Sequence, residues 1–189
     1  MKAYILVGGA SKRMGKPKLN LPFAGSTFLD RVSAAARPVF DEVVAVQRPG
    51  GPAIDSLRTI YEPAHDLQAP VFGLWRALED AGDRCFVLAI DYPLITAEVL
   101  RYLAGRAVAS RSEMLVPRWN GKLQMLCAAY SPAVVPRIAP RIAKGQLNLQ
   151  GLSDDLEVIE EDALRERFAG EPLMNVNTRE ELEKAEKLA

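Results

Sequence analysis

The stretch AYILVGGASKRMGKPK, residues 3–18, decides how the rest of the chain is read. Five apolar residues, 3–7, run without a break into Gly8 and Gly9. Such a run reads as a strand buried on both faces. The glycines let the backbone approach a ligand closely and turn its N–H groups toward it. Lys12, Arg13, Lys16 and Lys18 add charge, and no acid occurs between Met1 and Asp30. Since 24 cations balance 24 acids over the whole chain, this positive patch is local. Two common forms of phosphate loop do not fit. A P-loop needs four residues between its glycines and a hydroxyl after the lysine; here five separate Gly9 from Gly15, and Pro17 follows Lys16. A dinucleotide fingerprint needs G-x-G-x-x-G, but the glycines stand at 8, 9 and 15. An anion site of another kind competes with a plain solvated turn, and the acid-free charge favours the anion site.

Beyond this loop, strands alternate with helices. Apolar spacing predicts a helix over 27–37, a strand at 42–47 closed by RPGGP, and a short strand at 57–62. Pro70 opens a helix through about Ala81. CFVLAI, 85–90, reads as a central strand of a parallel sheet. Thr96 caps a helix to about 107. EMLVP (113–117) and LQMLCAAY (123–130) read as strands around the turn RWNGK; Pro132 opens another helix, and 156–160 is a weaker strand. LMNVN then reads as a last strand, leading into a helix capped by Thr178 with Glu181 at the box position. The alternation predicts an α/β fold: one domain over 1–189, a three-layer α/β/α sandwich on a mostly parallel, Rossmann-like sheet.

Ligands of such sheets bind beyond the carboxyl ends of the strands. The opening loop, Asp91 directly after strand 85–90, and Asn175 and Asn177 all fall there. A carboxylate facing a cationic glycine loop suits Mg²⁺ held between protein and phosphate oxygens. A turn or helix cap is the competing role for Asp91. If 173–177 is a strand, Asn175 and Asn177 share a face; shaping the turn before Thr178 is the competing role for Asn177. His65, the sole histidine, falls in the loop YEPAHDLQAP and reads as solvated. Cys85 and Cys127 lie in apolar runs without CxxC spacing and read as buried thiols. Zinc ligands are lacking.

Composition is ordinary for a soluble protein, with 49% hydrophobic and 25% charged residues. Zero net charge argues against nucleic acid as a partner. A run of only five apolar residues after Lys2 does not make a signal peptide, and no stretch approaches the ~20 residues of a membrane span. A cytoplasmic protein is expected, with no membrane partner.

Four segments carry a family resemblance. LVGGASKRMGKPKLNLPFAG, APVFGLWRALEDAGDRCFVLAIDYPLIT, NGKLQMLCAAY and MNVNTREELEKAE follow in the order seen in nucleotidyltransferases related to molybdenum cofactor guanylyltransferase (MobA). The chain resembles that family over nearly its whole length. The resemblance implies transfer of GMP from GTP to molybdopterin, giving molybdopterin guanine dinucleotide and pyrophosphate, with Mg²⁺ as cofactor. It implies that Leu6, Val7, Gly8 and Gly9 meet base and ribose through backbone groups. Arg13 and Lys18 would neutralise the triphosphate and Asp91 would hold the metal, while Lys12 and Lys16 occupy variable positions. The family's further nucleotide-contacting Asp falls by spacing on Glu62, with Asp66 nearby. Gln124, Asn175 and Asn177 would serve the acceptor. The N-terminal part would thus bind the nucleotide and the C-terminal part the acceptor. Transient contact with proteins that make or receive the cofactor is also implied.

The chain departs from the pattern at several places. Pro17 replaces an Asp, Ala69–Gly73 replaces Gly-Pro-Leu-Ala-Gly, Ala45 (or Gln47, two residues on) stands for an Asn, and Met125 replaces a proline. Leu6-Val7-Gly8-Gly9 is nearer the guanylyl form, Leu-Ala-Gly-Gly, than the cytidylyl form, Thr-Ala-Ala-Gly, so GTP is expected over CTP. The alternatives are a relative using CTP or another phosphorylated acceptor such as a sugar phosphate, and a non-catalytic binding protein. Retention of Arg13, Lys18 and Asp91 speaks against the last.

Overall fold

The computed structural model describes residues 1–8 and 18–189, with the backbone alone at Lys18. The opening apolar run forms β1 (Ala3–Leu6), an inner strand of the sheet. A small hairpin, β2 (Pro22–Phe23) and β3 (Ser26–Thr27), precedes α1 (Phe28–Ala36). The Thr27 side chain caps α1 and Asp30 returns the bond, a capping box of the kind that stabilises a helix start by about 1 kcal/mol. Then follow β4 (Val43–Gln47), β5 (Arg58–Tyr61), α2 (Pro70–Ala81), β6 (Cys85–Ala89) and α3 (Ala97–Ala109). The C-terminal part adds β7 (Met114–Trp119), β8 (Lys122–Leu123), β9 (Cys127–Tyr130), α4 (Val135–Ala143), β10 (Leu156–Ile159), α5 (Glu161–Arg165) and α6 (Arg179–Glu186).

The strands order as β10-β7-β9-β6-β1-β4-β5, with β8 hairpinned onto β7. Pairings of β1 with β4 and β6, of β4 with β5, and of β7 with β10 are parallel; only β8 and β9 pair antiparallel with their neighbours in this sheet. The expected mostly parallel sheet is thus mixed where the reversed β9 lies between β6 and β7 and where β8 folds back on β7.

Period-two alternation divides the core between the two faces. Ala3, Ile5, Phe86 and Leu88 pack under α1 and α3 with Leu29, Val32, Leu100 and Leu103. Tyr4, Leu6, Val87 and Ala128 pack on the other face, with Val71, Leu74 and Leu78 of α2 and Ile138 of α4. Helices on both faces make the three layers. Cys85 and Cys127 are buried free thiols, and burial pushes the Cys85 thiol up to about 12. Among the described residues no helix is long and apolar enough to cross a membrane.

Two expected elements differ. The run 123–130 is not one strand: Leu123 ends β8, residues 124–126 turn, and β9 starts at Cys127. The Cys127 amide donates to the Gln124 carbonyl, closing that turn without a glycine or proline to announce it. Residues 173–177 form no strand either. They bury Met174 and Val176 in a small cluster with Leu21, Phe23, Phe28 and Ala185. An extended segment that buries alternate side chains looks in sequence like a strand.

Candidate active site

Because β1, β4, β5 and β6 run in one direction, their carboxyl ends meet at one edge of the sheet. Residues just past those ends, with the start of α2, line a cavity of about 410 Å³. Leu6, Val7 and Gly8 come from β1, Gln47 and Arg48 from β4, Glu62 from β5, and Asp91 from β6. The far end of α2 is fixed by Asp80, which accepts the Tyr4 hydroxyl at 2.8 Å and a two-pronged Arg58 guanidinium at 3.0 and 2.6 Å. Those Arg58 bonds hold the Asp80 carboxyl down to about 2.

Glu62 is the buried carboxylate of this cavity, only 8% exposed. Its Oε1 lies 3.7 Å from where a Cβ on Gly8 would stand and 3.1 Å from one on Gly73. Gly73 is the tight position, since a methyl group there would also meet the Leu6 side chain at 3.0 Å, whereas one on Gly8 would make only ordinary contact. Burial raises the Glu62 carboxyl above its usual range, opposed by the nearby His65 and Arg48. His65, expected to be solvated, is instead packed: its Nε2 lies 3.3 Å from Glu62 Oε2 and its ring stacks on Phe72 at 3.5 Å between centroids. The reason is that the loop folds back over α2, tied by an Arg48 guanidinium bond of 2.7 Å to the His65 carbonyl.

Across Asp91 lies a second cavity of about 900 Å³, lined among others by Tyr92, Gln124, Asn175 and Asn177. Asp91 and Leu126 belong to both cavities. The Val176 amide donates to the Asp91 carbonyl at 2.9 Å, which draws residues 173–177 alongside the turn. Gln124 is buried with every side-chain hydrogen-bonding position engaged. Its Oε1 accepts from the Tyr92 hydroxyl (3.1 Å) and Asn175 Nδ2 (2.8 Å), and its Nε2 donates to the carbonyls of Trp119 (3.0 Å) and Lys122 (3.1 Å). Burial raises the Tyr92 phenol well above its ordinary value, so it stays a neutral donor. Farther out, Glu171 accepts from the Trp119 indole at 3.0 Å, and the Arg165 guanidinium lies over that ring at 4.1 Å.

Of the residues singled out in the sequence, Leu6, Val7, Gly8, Glu62 and Asp91 come together in the first cavity, and Asp91, Gln124, Asn175 and Asn177 in the second. Asp66 is exposed and lines neither. Ala45 is buried inside β4, whereas Gln47 reaches the first cavity, its amide donating to the Pro52 carbonyl at 3.3 Å. Gly9 and Arg13, like Lys12 and Lys16, lie outside the described residues, as does the Lys18 side chain. Sequence reasoning passed over Arg48, hidden in a segment read only as a closing turn, and the contact of His65 with Glu62, for which a three-residue spacing in a loop gives no signal.

Among the described residues no group of three or more His, Cys, Asp or Glu side chains converges as a metal cage. A single carboxylate on a wall common to two cavities does fit a Mg²⁺ that keeps most of its waters and takes its other ligands from substrate phosphates.

The sequence matches the MobA-like NTP transferase domain over residues 3–159. A protein of Mycobacterium tuberculosis named probable molybdenum cofactor guanylyltransferase is 33% identical over 190 residues, taking in 94% of this chain and 89% of that protein. An Aquifex aeolicus protein of the same name is 30% identical over 183 residues, with 96% and 88% covered. Among solved structures, molybdopterin-guanine dinucleotide biosynthesis protein A of Archaeoglobus fulgidus superposes with a TM-score of 0.85 at 24% identity, over 99% of this chain and 97% of that one. At that identity the likeness speaks for the fold.

Proposed function

This chain belongs to the MobA-like NTP transferase family and is a nucleotidyltransferase, and from that premise we propose that it transfers GMP from GTP to molybdopterin, releasing pyrophosphate. The observation that carries the reading is a buried carboxylate, Glu62, set against the bare backbone of Gly8 in a cavity that shares Asp91 with a second, larger one. An ionised carboxylate only accepts hydrogen bonds. Guanine offers adjacent donors, N1–H and the 2-amino group, whereas cytosine offers acceptors on the same edge. Glu62 therefore reads the base, and Leu6, Val7, Gly8 and Gly9 border it with backbone.

The triphosphate extends from the base toward Asp91, and the acceptor approaches from the second cavity. An oxygen of the acceptor phosphate attacks the α-phosphorus; the bond from that phosphorus to the bridging oxygen breaks, and pyrophosphate carries away the electron pair. The attacking oxygen is already anionic at neutral pH, so no side chain has to take a proton from it. What the reaction needs is alignment and charge neutralisation. Arg13 and Lys18 neutralise the triphosphate and the departing pyrophosphate. Asp91 holds Mg²⁺, which when bound withdraws charge from the phosphate oxygens. Asn175 and Asn177 face the acceptor, and Gln124 holds the wall behind them. In this reading residues 1–189 are one domain, nucleotide-binding toward the N-terminus and acceptor-binding toward the C-terminus. It works in the cytoplasm and meets the proteins that make or receive the cofactor.

Labelled GTP, CTP or ATP incubated with the protein, Mg²⁺ and either molybdopterin or a sugar phosphate tests the assignment. Pyrophosphate should form with GTP and molybdopterin, with kcat/KM for GTP roughly a hundredfold above that for CTP. A CTP preference, or turnover with the sugar phosphate but not with molybdopterin, overturns it.

A further inference from the structure

Two energetically unfavourable features sit side by side, one in the wall of the smaller cavity and one next to it. Glu62 is a buried carboxylate, and His65 beside it has a buried Nδ1 with no hydrogen-bond partner among the described residues. Buried polar atoms without partners are uncommon and call for an explanation. The tautomer follows from the geometry. With the proton on Nε2, the ring donates to Glu62 Oε2 at 3.3 Å and leaves only an acceptor unsatisfied. With the proton on Nδ1, a lone pair would face the carboxylate and a donor would be orphaned. Phe72 supports the ring from α2, stacked within 20° of parallel, and Arg48 fixes the His65 carbonyl. One carboxylate oxygen is thus held from behind, while the other, Oε1, faces the Gly8 backbone.

Resting on the guanine reading above, we propose that His65 is a positioning residue for base discrimination. By donating from Nε2 to Oε2 it aims the Glu62 carboxylate, so that a two-donor base edge is recognised, with the Phe72 ring as its platform. A protonated Glu62 would carry a donor of its own and would confront the N1–H or the 2-amino group of guanine. Without the histidine, the buried acid has lost the larger of the two groups that favour its charged form, the other being Arg48.

The test is equilibrium binding of GTP and ITP, which lacks the 2-amino group, measured without acceptor so that turnover plays no part. His65→Phe keeps an aromatic ring over Phe72 and removes the donor. It should weaken GTP binding roughly 10- to 100-fold, the loss of a hydrogen bond to a charged group. The preference for GTP over ITP should fall toward one. His65→Gln, whose amide can donate from a similar place, should restore most of both. In a Glu62→Gln background, His65→Phe should have little further effect on that preference. The inference is overturned if His65→Phe leaves the GTP-to-ITP ratio unchanged. It is equally overturned if His65→Gln is no better than His65→Phe, or if the full effect persists without the Glu62 carboxylate. Wild-type protein binding GTP no more tightly than ITP and CTP would instead sink the guanine reading on which this rests.

Discussion

The smaller cavity takes its walls from the ends of four parallel strands, β1, β4, β5 and β6. The larger one, across Asp91, takes them from the β7–β8 hairpin, the turn 124–126 and the extended segment 173–177. In the first, polar side chains such as Gln47, Arg48, Glu62 and Asp91 each follow the end of a strand, and the proposed base reader, Glu62, is one of them. In the second, one side-chain amide does the holding: Gln124 ties the Tyr92 and Asn175 side chains to the backbone carbonyls of Trp119 and Lys122. A parallel sheet delivers strand ends to one place whatever the side chains are. A wall made of turns has no such ladder, and must be held by amides and hydroxyls. The first cavity is therefore set by topology and the second by a side-chain network.

Asp91 is where that contrast should vanish, since it belongs to both walls. Asp91→Asn should lower kcat by roughly 100- to 1,000-fold, the scale for losing one preorganised electrostatic contact at a transition state. Binding of GTP without metal should change little. A variant with near-normal kcat would separate Asp91 from the chemistry. Next in size, Glu62→Gln should raise the Kd for GTP roughly 10- to 100-fold while leaving the KM for acceptor alone. The same change should raise the melting temperature at neutral pH. A carboxyl whose folded-state pKa is raised by burial stabilises the fold at low pH, and that contribution is lost as pH rises through the raised value. Unchanged GTP affinity would mean that the first cavity does not read its base through this group.

Gln124→Leu probes the other wall. It should leave GTP binding intact, raise the KM for acceptor, and cost about 1–3 kcal/mol of stability through stranded partners. Equal damage to both substrates would show the two walls to be one unit.

How far each wall can be read from sequence follows the same division. Helix α2 has the bounds 70–81 read from Pro70 and its apolar spacing, and CFVLAI reveals β6 because a strand buried on both faces needs an unbroken apolar run. Asp91 is legible because it stands directly after that run. The second wall misleads: MNVN alternates like a strand yet only packs as one, and nothing in LQML announces the turn after Leu123. Its asparagines are nevertheless brought to the cavity, because Val176 bonds to the Asp91 carbonyl. The pairing of His65 with Glu62 is invisible in sequence, since it depends on how a loop lies over α2.

Two smaller effects concern the supports rather than the walls. Asp80→Asn should cost about 2 kcal/mol at neutral pH, because its carboxyl is held at about 2 against an ordinary 3.8. With a folded-state value below the unfolded one, the stabilisation is complete above pH 4 or so and disappears as pH falls through about 2. The wild-type melting temperature should drop over that window and the variant's should drop less. Smallest of all, Thr178→Ala removes the hydroxyl that caps α6 behind the second wall. It should cost about 1 kcal/mol, a shift of roughly 2–4 °C in melting temperature. A larger loss would mean that α6 braces the acceptor side more firmly than its one cap suggests.

The reversed strand β9 has a consequence for how such a protein can change. After β7 the chain turns at Asn120 and Gly121, both with positive φ, pairs briefly back on β7 as β8, and enters the adjacent antiparallel strand at Cys127. An excursion that starts and finishes on neighbouring strands can be lengthened without moving either. Doubling its length costs only about 0.6 kcal/mol in closure entropy. The α-helical crossovers that build the other half have no such freedom, since their length is matched to a packed helix. The turn at Asn120 and Gly121 is thus where this wall can be lengthened, whereas Gln124, tied to Tyr92 and Asn175, and Leu126, which lines both cavities, are held in place.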